Sequence, residues 1–385
     1  MKKNIYYWSP CLNPVGTTIS TINSSIALSK YSNKYNVSVI NTCGEWDKFK
    51  KKLSKKKVEV IDLNFRYFRI LPKTGFIKSR VSYIIIFLLS FFPLIFLLKK
   101  KKPDVFIAHL ITSLPILIFN IFNFNTNLIL RISGFPKLNF IRRNFWRFCS
   151  SGIKIITCPS IELKYKICNL NILNKEKIFY LPDAVLNISD FRLQINTSNK
   201  FKNIFLGDKL TFLAAGRLTD QKNFSFLIDE FNEYYLENNK CRLVILGDGE
   251  EFENLNSLIF KKKLTNAVHL LGRVENVFRY MKDSDAFILS SKWEEMGFVI
   301  VEAAMNNLFV ISSDCPNGPK EFLDNGKNGI LFSNNKKNSL KESLKKFDKM
   351  TDEEKFKFKV QLKKNAKKFT KFSHSQILNK ILSQN

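Results

Sequence analysis

The chain has 385 residues, too many for one compact core and suited to two domains of roughly 150–200 residues each. Its seven cysteines are scattered, odd in number and form no CxxC pair, which excludes a disulfide framework and a zinc site and fits reduced thiols in a cytoplasm. The net charge of +29 favours anionic partners such as nucleic acid, membrane phospholipid or phosphorylated substrates, with AT-rich codon usage as the plainer source of lysine.

The start, MKKNIYYWSP, carries two lysines and then a short mixed stretch, which is not the pattern of a signal peptide. Short apolar runs at 4–9, 35–42, 58–63, 104–109, 127–133, 153–160 and 177–183 read as strands, with amphipathic stretches such as 19–32 between several of them. That alternation predicts a parallel sheet with helices on both faces. Between the third and fourth strands lies RVSYIIIFLLSFFPLIFLLKKKK (80–102), about long enough to span a bilayer. Spanning would put neighbouring strands of one sheet on opposite sides of the membrane. A helix buried in the protein or lying in the interface is therefore expected, bent or interrupted near Pro93, with Arg80 and Lys99–Lys102 at its ends.

Residues 187–209 are polar, weakly periodic and read as a linker. The alternation restarts with apolar runs at 210–218, 241–249, 268–274, 286–291, 309–314 and 329–332. The fold class is thus α/β, with two Rossmann-like parallel-sheet domains, 1–190 and 195–360, facing across a cleft. The Lys-rich tail is helical, and its last helix, 365–385, is expected to pack back on the first domain. Open parallel sheets bind ligands beyond the carboxyl ends of their strands, so chemistry-bearing residues should follow strands directly.

Two stretches meet that condition. In LAAGRLTDQKNFSFLIDEF (213–231) a strand is followed by Gly216 and Arg217, then Lys222 ahead of a helix, and the two cations suit a diphosphate. In SSKWEEMGFVIVEAAMNN (290–307) Glu294 lies in the loop after a strand and Glu302 in the first or second turn of the next helix. A helix N-terminus beside them offers N–H groups to phosphate, while carboxylates accept bonds from sugar hydroxyls. A ligand with both features is a nucleotide sugar. By position alone, His109 ends the fourth strand as either a buried histidine or a site residue, and Arg131 ends the fifth, where it could hold an acceptor phosphate. Asp283 and Asp285 have the spacing of a metal-binding pair, but they precede a strand, at its far end.

The order Glu-x7-Glu, then NLFVISSDCPNGPKEFLDNGKNGILF (307–332), together with GRLTDQKN, VILGDGEEFENL and VHLLGRV, resembles the family-4 retaining glycosyltransferases, glycosyl transferases group 1. NPVGTTIS and KPDVFIAH carry a looser likeness in the first half. The resemblance implies the GT-B fold. It also implies that Glu302 binds ribose hydroxyls and Glu294 donor-sugar hydroxyls, while Arg217 and Lys222 hold the diphosphate. The backbone at Gly297 and Phe298 completes the pocket, the GRV backbone near Val274 contacts the base, His109 touches the donor sugar, and Gly16 matches a glycine of the first loop. Three departures stand out. Glu295 and Met296 intervene before Gly297-Phe298, the usual glycine pair of the first loop is reduced to VG, and Asp183 replaces a common asparagine.

The expected activity is transfer of a hexose or N-acetylhexosamine, with retention, from a nucleoside diphosphate sugar (UDP first) to a lipid-linked or cell-surface glycan. The enzyme is expected on the cytoplasmic face of the membrane, with no cofactor beyond the donor and no metal. A nucleotide-sugar epimerase of the same fold is the alternative enzyme. A basic nucleic-acid-binding protein is the alternative from another class, disfavoured by lysines spread over most of the chain.

Overall fold

The computed structural model describes residues 2–12, 16–63, 76–136, 139–194 and 200–384. The chain divides into two compact units: unit 1 comprises Met1–Ala184 and Lys371–Asn385, unit 2 Val185–Thr370.

Unit 1 runs β1 (Lys3–Trp8), α1 (Gly16–Tyr31), β2 (Tyr35–Asn41), α2 (Lys50–Lys55), β3 (Val58–Asp62), α3 (Phe76–Lys101), β4 (Val105–Ala108), α4 (Ser113–Ile121), β5 (Asn127–Arg131), α5 (Phe140–Phe148), β6 (Ile155–Cys158), α6 (Ile161–Cys168) and β7 (Ile178–Tyr180). The seven strands form one sheet in the order β3-β2-β1-β4-β5-β6-β7, every pair parallel. All four residues of β4, Val-Phe-Ile-Ala, are buried, as a central parallel strand with both faces covered requires. One face packs Ile5, Tyr7, Val37 and Val39 against α1 and the distant C-terminal helix. The other packs Trp8, Phe106 and Leu128 against residues of α3, α4 and α6.

The apolar segment forms α3, the crossover between β3 and β4 of this one sheet. Of the expected bend or interruption near Pro93, the interruption is absent: one helix runs through it. Among the described residues α3 contains the one stretch, Val81–Lys101, long and apolar enough to cross a membrane, and a third of its most apolar window is buried in the protein.

Unit 2 runs α7 (Ile188–Gln194), β8 (Leu210–Ala215), α8 (Phe224–Tyr235), β9 (Cys241–Leu246), α9 (Phe252–Lys261), β10 (Val268–Leu270), α10 (Val277–Lys282), β11 (Ala286–Leu289), α11 (Phe298–Met305), β12 (Phe309–Ser313), α12 (Gly318–Phe322), β13 (Ile330–Phe332), α13 (Ser339–Lys349) and α14 (Asp352–Ala366). Its sheet, also all parallel, has the order β10-β9-β8-β11-β12-β13. The tail then re-enters unit 1 as α15 (Lys371–Ser383), which packs on α1. His374 fastens it there: Nδ1 donates to the Pro182 carbonyl at 2.6 Å, and Nε2 meets the Ser24 hydroxyl at 2.8 Å. All seven cysteines are buried and unpaired.

Candidate active site

In the unit 2 sheet the strand order reverses between β8 and β11, which are neighbours although 70 residues of chain lie between the end of β8 and the start of β11. Loops leaving adjacent strands at such a reversal part to opposite sides and leave a crevice. Gly216, Arg217 and Lys222 leave β8 there, and Glu294 leaves β11.

After β8 the chain makes a short turn at Asp220–Lys222 and a left-handed residue, Asn223, before α8. Gly216 is held by its N–H on the Leu246 carbonyl at 3.0 Å, and the Lys222 stem lies over it, 3.2 Å from where a Cβ would stand. The GDG of VILGDGEEFENL, Gly247 to Gly249, serves this loop. A Cβ on Gly247, whose φ is +149°, would stand 1.8 Å from the Gly216 carbonyl oxygen, and one on Gly249 would stand 2.3 Å from that of Leu218. Arg217 is exposed, and among the described residues its guanidinium makes no hydrogen bond or ion pair.

Lys222 turns inward and donates to Glu294 Oε1, which also accepts the Ser291 hydroxyl at 2.7 Å. Glu294 is buried, whereas Glu295 is exposed. Its loop is tied at several points. Ser290 donates to the Lys222 carbonyl at 2.7 Å, Asn317 Nδ2 to the Glu294 carbonyl at 3.2 Å, and the Gly318 N–H to that of Glu295 at 2.8 Å. A Cβ on Gly318 would collide at 2.4 Å with Glu295 and Met296 backbone. Ser313 and Asn334 both donate to the Ser291 carbonyl, at 2.7 and 2.9 Å. Ser291, Ser313, Asn317 and Asn334 were not singled out from the sequence; small polar residues after β11, β12 and β13 were the available signal.

Gly297, at φ +69°, turns the chain into α11, whose N-terminus has no side-chain cap; the Ile300 N–H is taken by the Gly297 carbonyl at 2.9 Å, and the Phe298 and Val299 N–H groups begin the helix after β11. Glu302 lies in the second turn. Among the described residues its carboxyl has no hydrogen-bond partner, and burial pushes its pKa up to about 7. A partnerless carboxyl at a sheet edge is ready to take hydroxyls from a ligand. Val274 follows β10, and the Gly272 carbonyl of its segment accepts the Gly247 N–H at 2.8 Å, which links the GRV stretch to the loop beneath Arg217.

His109 and Gly16 belong to unit 1. His109 follows β4, its N–H on the Trp8 carbonyl at 2.8 Å. It is buried and among the described residues its Nδ1 has no partner, while burial, with the Arg131 and His374 charges, holds its pKa well below the usual histidine range. The ring is neutral. Gly16 opens α1 in open space, and the loop residues before it, 13–15, lie outside the described residues, as does the Arg80 side chain.

Arg131 is a correction. It is buried, and its guanidinium donates to the Leu181 carbonyl at 2.6 Å and to Asp183 at 2.8 Å, so it is not free for an acceptor phosphate. Asp183, which also accepts the Ser20 hydroxyl, is the buried counter-ion of that arginine. Asp283 pairs with Arg279 at 3.2 Å, and Asp285 accepts the Thr211 N–H at 2.8 Å at the amino end of β11. Among the described residues no three His, Cys, Asp or Glu side chains are grouped to share an ion.

Residues 196–369 match the family described as glycosyl transferases group 1. An uncharacterized glycosyltransferase of Methanocaldococcus jannaschii is 33% identical over 250 residues, 59% of this chain and 59% of that protein. An alpha-1,4-N-acetyl-D-galactosaminyltransferase of Campylobacter jejuni, whose name places its glycan on PP-undecaprenol, is 28% identical over 288 residues, 72% of this chain and 73% of its own. The chain spans between about half and three-fifths of the length of the first curated relatives it matches. Anabaena Alr3699/HepE, solved in complex with UDP, superposes with a TM-score of 0.73 at 17% identity, covering 100% of both chains, a likeness of fold.

Proposed function

We propose that this chain, whose residues 196–369 match the group 1 glycosyltransferases, transfers a hexose or N-acetylhexosamine, with retention, from UDP-sugar to a lipid-linked or cell-surface glycan. The observation that carries this is the grouping of Arg217, Lys222, Glu294, the uncapped start of α11 and the partnerless Glu302 at one edge of the unit 2 sheet. Cations and N–H groups suit a diphosphate, and the two carboxyls suit sugar and ribose hydroxyls. UDP in the HepE complex and PP-undecaprenol in the Campylobacter name support donor and acceptor class.

In the reaction the bond from the anomeric carbon to the diphosphate oxygen breaks, and the acceptor oxygen bonds the same face of that carbon. The acceptor proton passes to the departing phosphate oxygen. Arg217, Lys222 and the α11 N–H groups stabilise the charge that develops on the diphosphate, so no metal is required. His109 and Gly16, both in unit 1, keep the donor-side roles that the family resemblance implies. The enzyme works on the cytoplasmic face of the membrane. The test is product analysis with a panel of UDP- and GDP-sugars and cell lipid extract. Sugar incorporated into lipid with an α-linkage from an α-linked donor supports the reading. Donor consumed to an epimeric nucleotide sugar without acceptor overturns it.

A further inference from the structure

Most of the chain's positive charge resides in unit 1. That unit holds 32 Lys and Arg against 8 Asp and Glu, whereas unit 2 holds 30 against 25. Lysines are spread along the chain, but net charge is not, and a codon bias acting on the whole gene does not produce that asymmetry. Between Asp62 and Glu162, Asp104 is the single acidic residue, and this stretch contains α3, α4 and α5.

These helices share one layer. α4 packs against α3 and against the turn at Cys149–Gly152 that closes α5. The outer side of that layer inverts the usual pattern of a surface helix. On α3 the row Ser82, Ile86, Ser90, Leu94 faces the protein, and both serines are buried. The opposite row, Ile84, Leu88, Phe92, Phe96, is exposed, Phe92 at 76% and Phe96 at 66%. Its end is closed by lysines, with Lys100 Nζ 5.6 Å from the Phe96 ring centre and Lys99 Nζ 5.1 Å from that of Phe122. On α5 Trp146 is buried, while Phe140 (81%), Ile141 (77%) and Phe148 (79%) stand in solvent among Arg142, Arg143 and Arg147. An aqueous surface gains nothing from these large apolar side chains.

We propose that α3 and α5 together form a docking surface for an anionic bilayer, with the Phe and Leu side chains entering the acyl boundary and the arginines of α5 and lysines after α3 binding lipid phosphates. Charge complementarity selects this occupant. A second copy would bring the same cations against these, and a neutral bilayer would leave them unpaired. Because α3 joins two strands of one sheet, it lies on the membrane and does not span it. This deepens the membrane-surface location within the function proposed above and commits to α5 as part of the surface.

The test is flotation of the full chain with vesicles of phosphatidylcholine alone and with added phosphatidylglycerol. Binding is expected at least about tenfold tighter to the anionic vesicles and weakened by salt. Arg142→Gln with Arg143→Gln and Arg147→Gln, and separately Phe140→Ser with Phe148→Ser, are expected to lower it at least about tenfold; all five positions are exposed, and circular dichroism checks the fold. Equal binding to both vesicle types, or wild-type binding by both α5 variants, overturns the proposal. So does dimerisation that the Phe variants abolish, in a protein that ignores vesicles. Extraction by detergent alone and not by alkaline carbonate would show a span. Transfer to a short, detergent-dispersed acceptor separates the two readings: it survives failure of docking and is lost if the transferase reading fails.

Discussion

Lys222 and Glu294, 72 positions apart, form one ion pair with side-chain exposures of 14% and 9%, and the Ser291 hydroxyl shares the same carboxylate oxygen. Without ligand, the cation proposed to hold the diphosphate is therefore neutralised by the acid proposed to bind the sugar. Binding of nucleotide must compete with that pair. Glu294→Ala accordingly frees Lys222, so UDP affinity is expected to hold or tighten by up to about tenfold, roughly 1.4 kcal/mol. Turnover is expected to fall at least about tenfold with the lost sugar contact. Lys222→Ala is expected to weaken UDP and turnover together. Calorimetry with UDP beside initial rates checks both, and a Glu294→Ala enzyme that loses UDP would refute the competition.

Charge stabilisation by the protein itself gives a second outcome. Arg217→Ala is expected to cost about 2–4 kcal/mol of barrier, the scale for one pre-organised donor at a developing oxyanion. Activity is expected to persist in excess EDTA. Loss in EDTA that Mn²⁺ restores would contradict the proposed role of the cations.

Backbone contact makes a third. Gly247→Ala puts a methyl against the Gly216 carbonyl, so the loop carrying Arg217 and Lys222 must move. A loss of about 1–3 kcal/mol of stability is expected, with weaker UDP binding. Gly207→Ala is the control. Its φ of +81° also disfavours alanine, yet nothing lies within 4 Å, so stability falls by about 1–2 kcal/mol while UDP binding stays. Denaturant titration and calorimetry on the two variants separate collision from conformational cost.

The thirteen strands among the described residues lie where short apolar runs stood in the sequence, and a central strand such as β4, buried on both faces, admits little other composition. The loops holding Gly216, Arg217, Lys222 and Glu294 do follow β8 and β11 directly, as their place after apolar runs implied. Pairings across long sequence distances were not legible. Asp183 as partner of Arg131 depends on the end of β5 meeting the chain beyond β7, and neither residue type alone states it. An arginine at a strand end reads the same whether it faces ligand or a buried acid. Nor did composition reveal which row of α3 faces inward, because a helix apolar all round has almost no moment to read.

Two titrating groups, half-buried Glu302 and buried His374, give the units opposite responses to pH. Glu302 in unit 2 has its pKa raised to about 7 by burial. Between 4.5 and 7 the folded state keeps a proton that the unfolded state has lost, so its contribution to stability falls as pH rises through that window. His374 in unit 1 is displaced the other way, to about 4, first by burial. Between 6.5 and 4 the unfolded state takes a proton that the folded imidazole refuses, so stability is lost as pH falls. Each proton accounts for at most about 1.4 kcal/mol per pH unit. Ribose hydroxyls favour the ionised Glu302, so UDP affinity is also expected to weaken as pH drops from 8 to 6. The comparison is wild type against Glu302→Gln, which cancels titration of UDP itself. Denaturation and UDP binding are followed from pH 5 to 8 in both. The variant is expected to gain stability at pH 8 relative to pH 5 and to bind UDP with less pH dependence. Parallel curves for the two proteins would show that Glu302 does not titrate in this range.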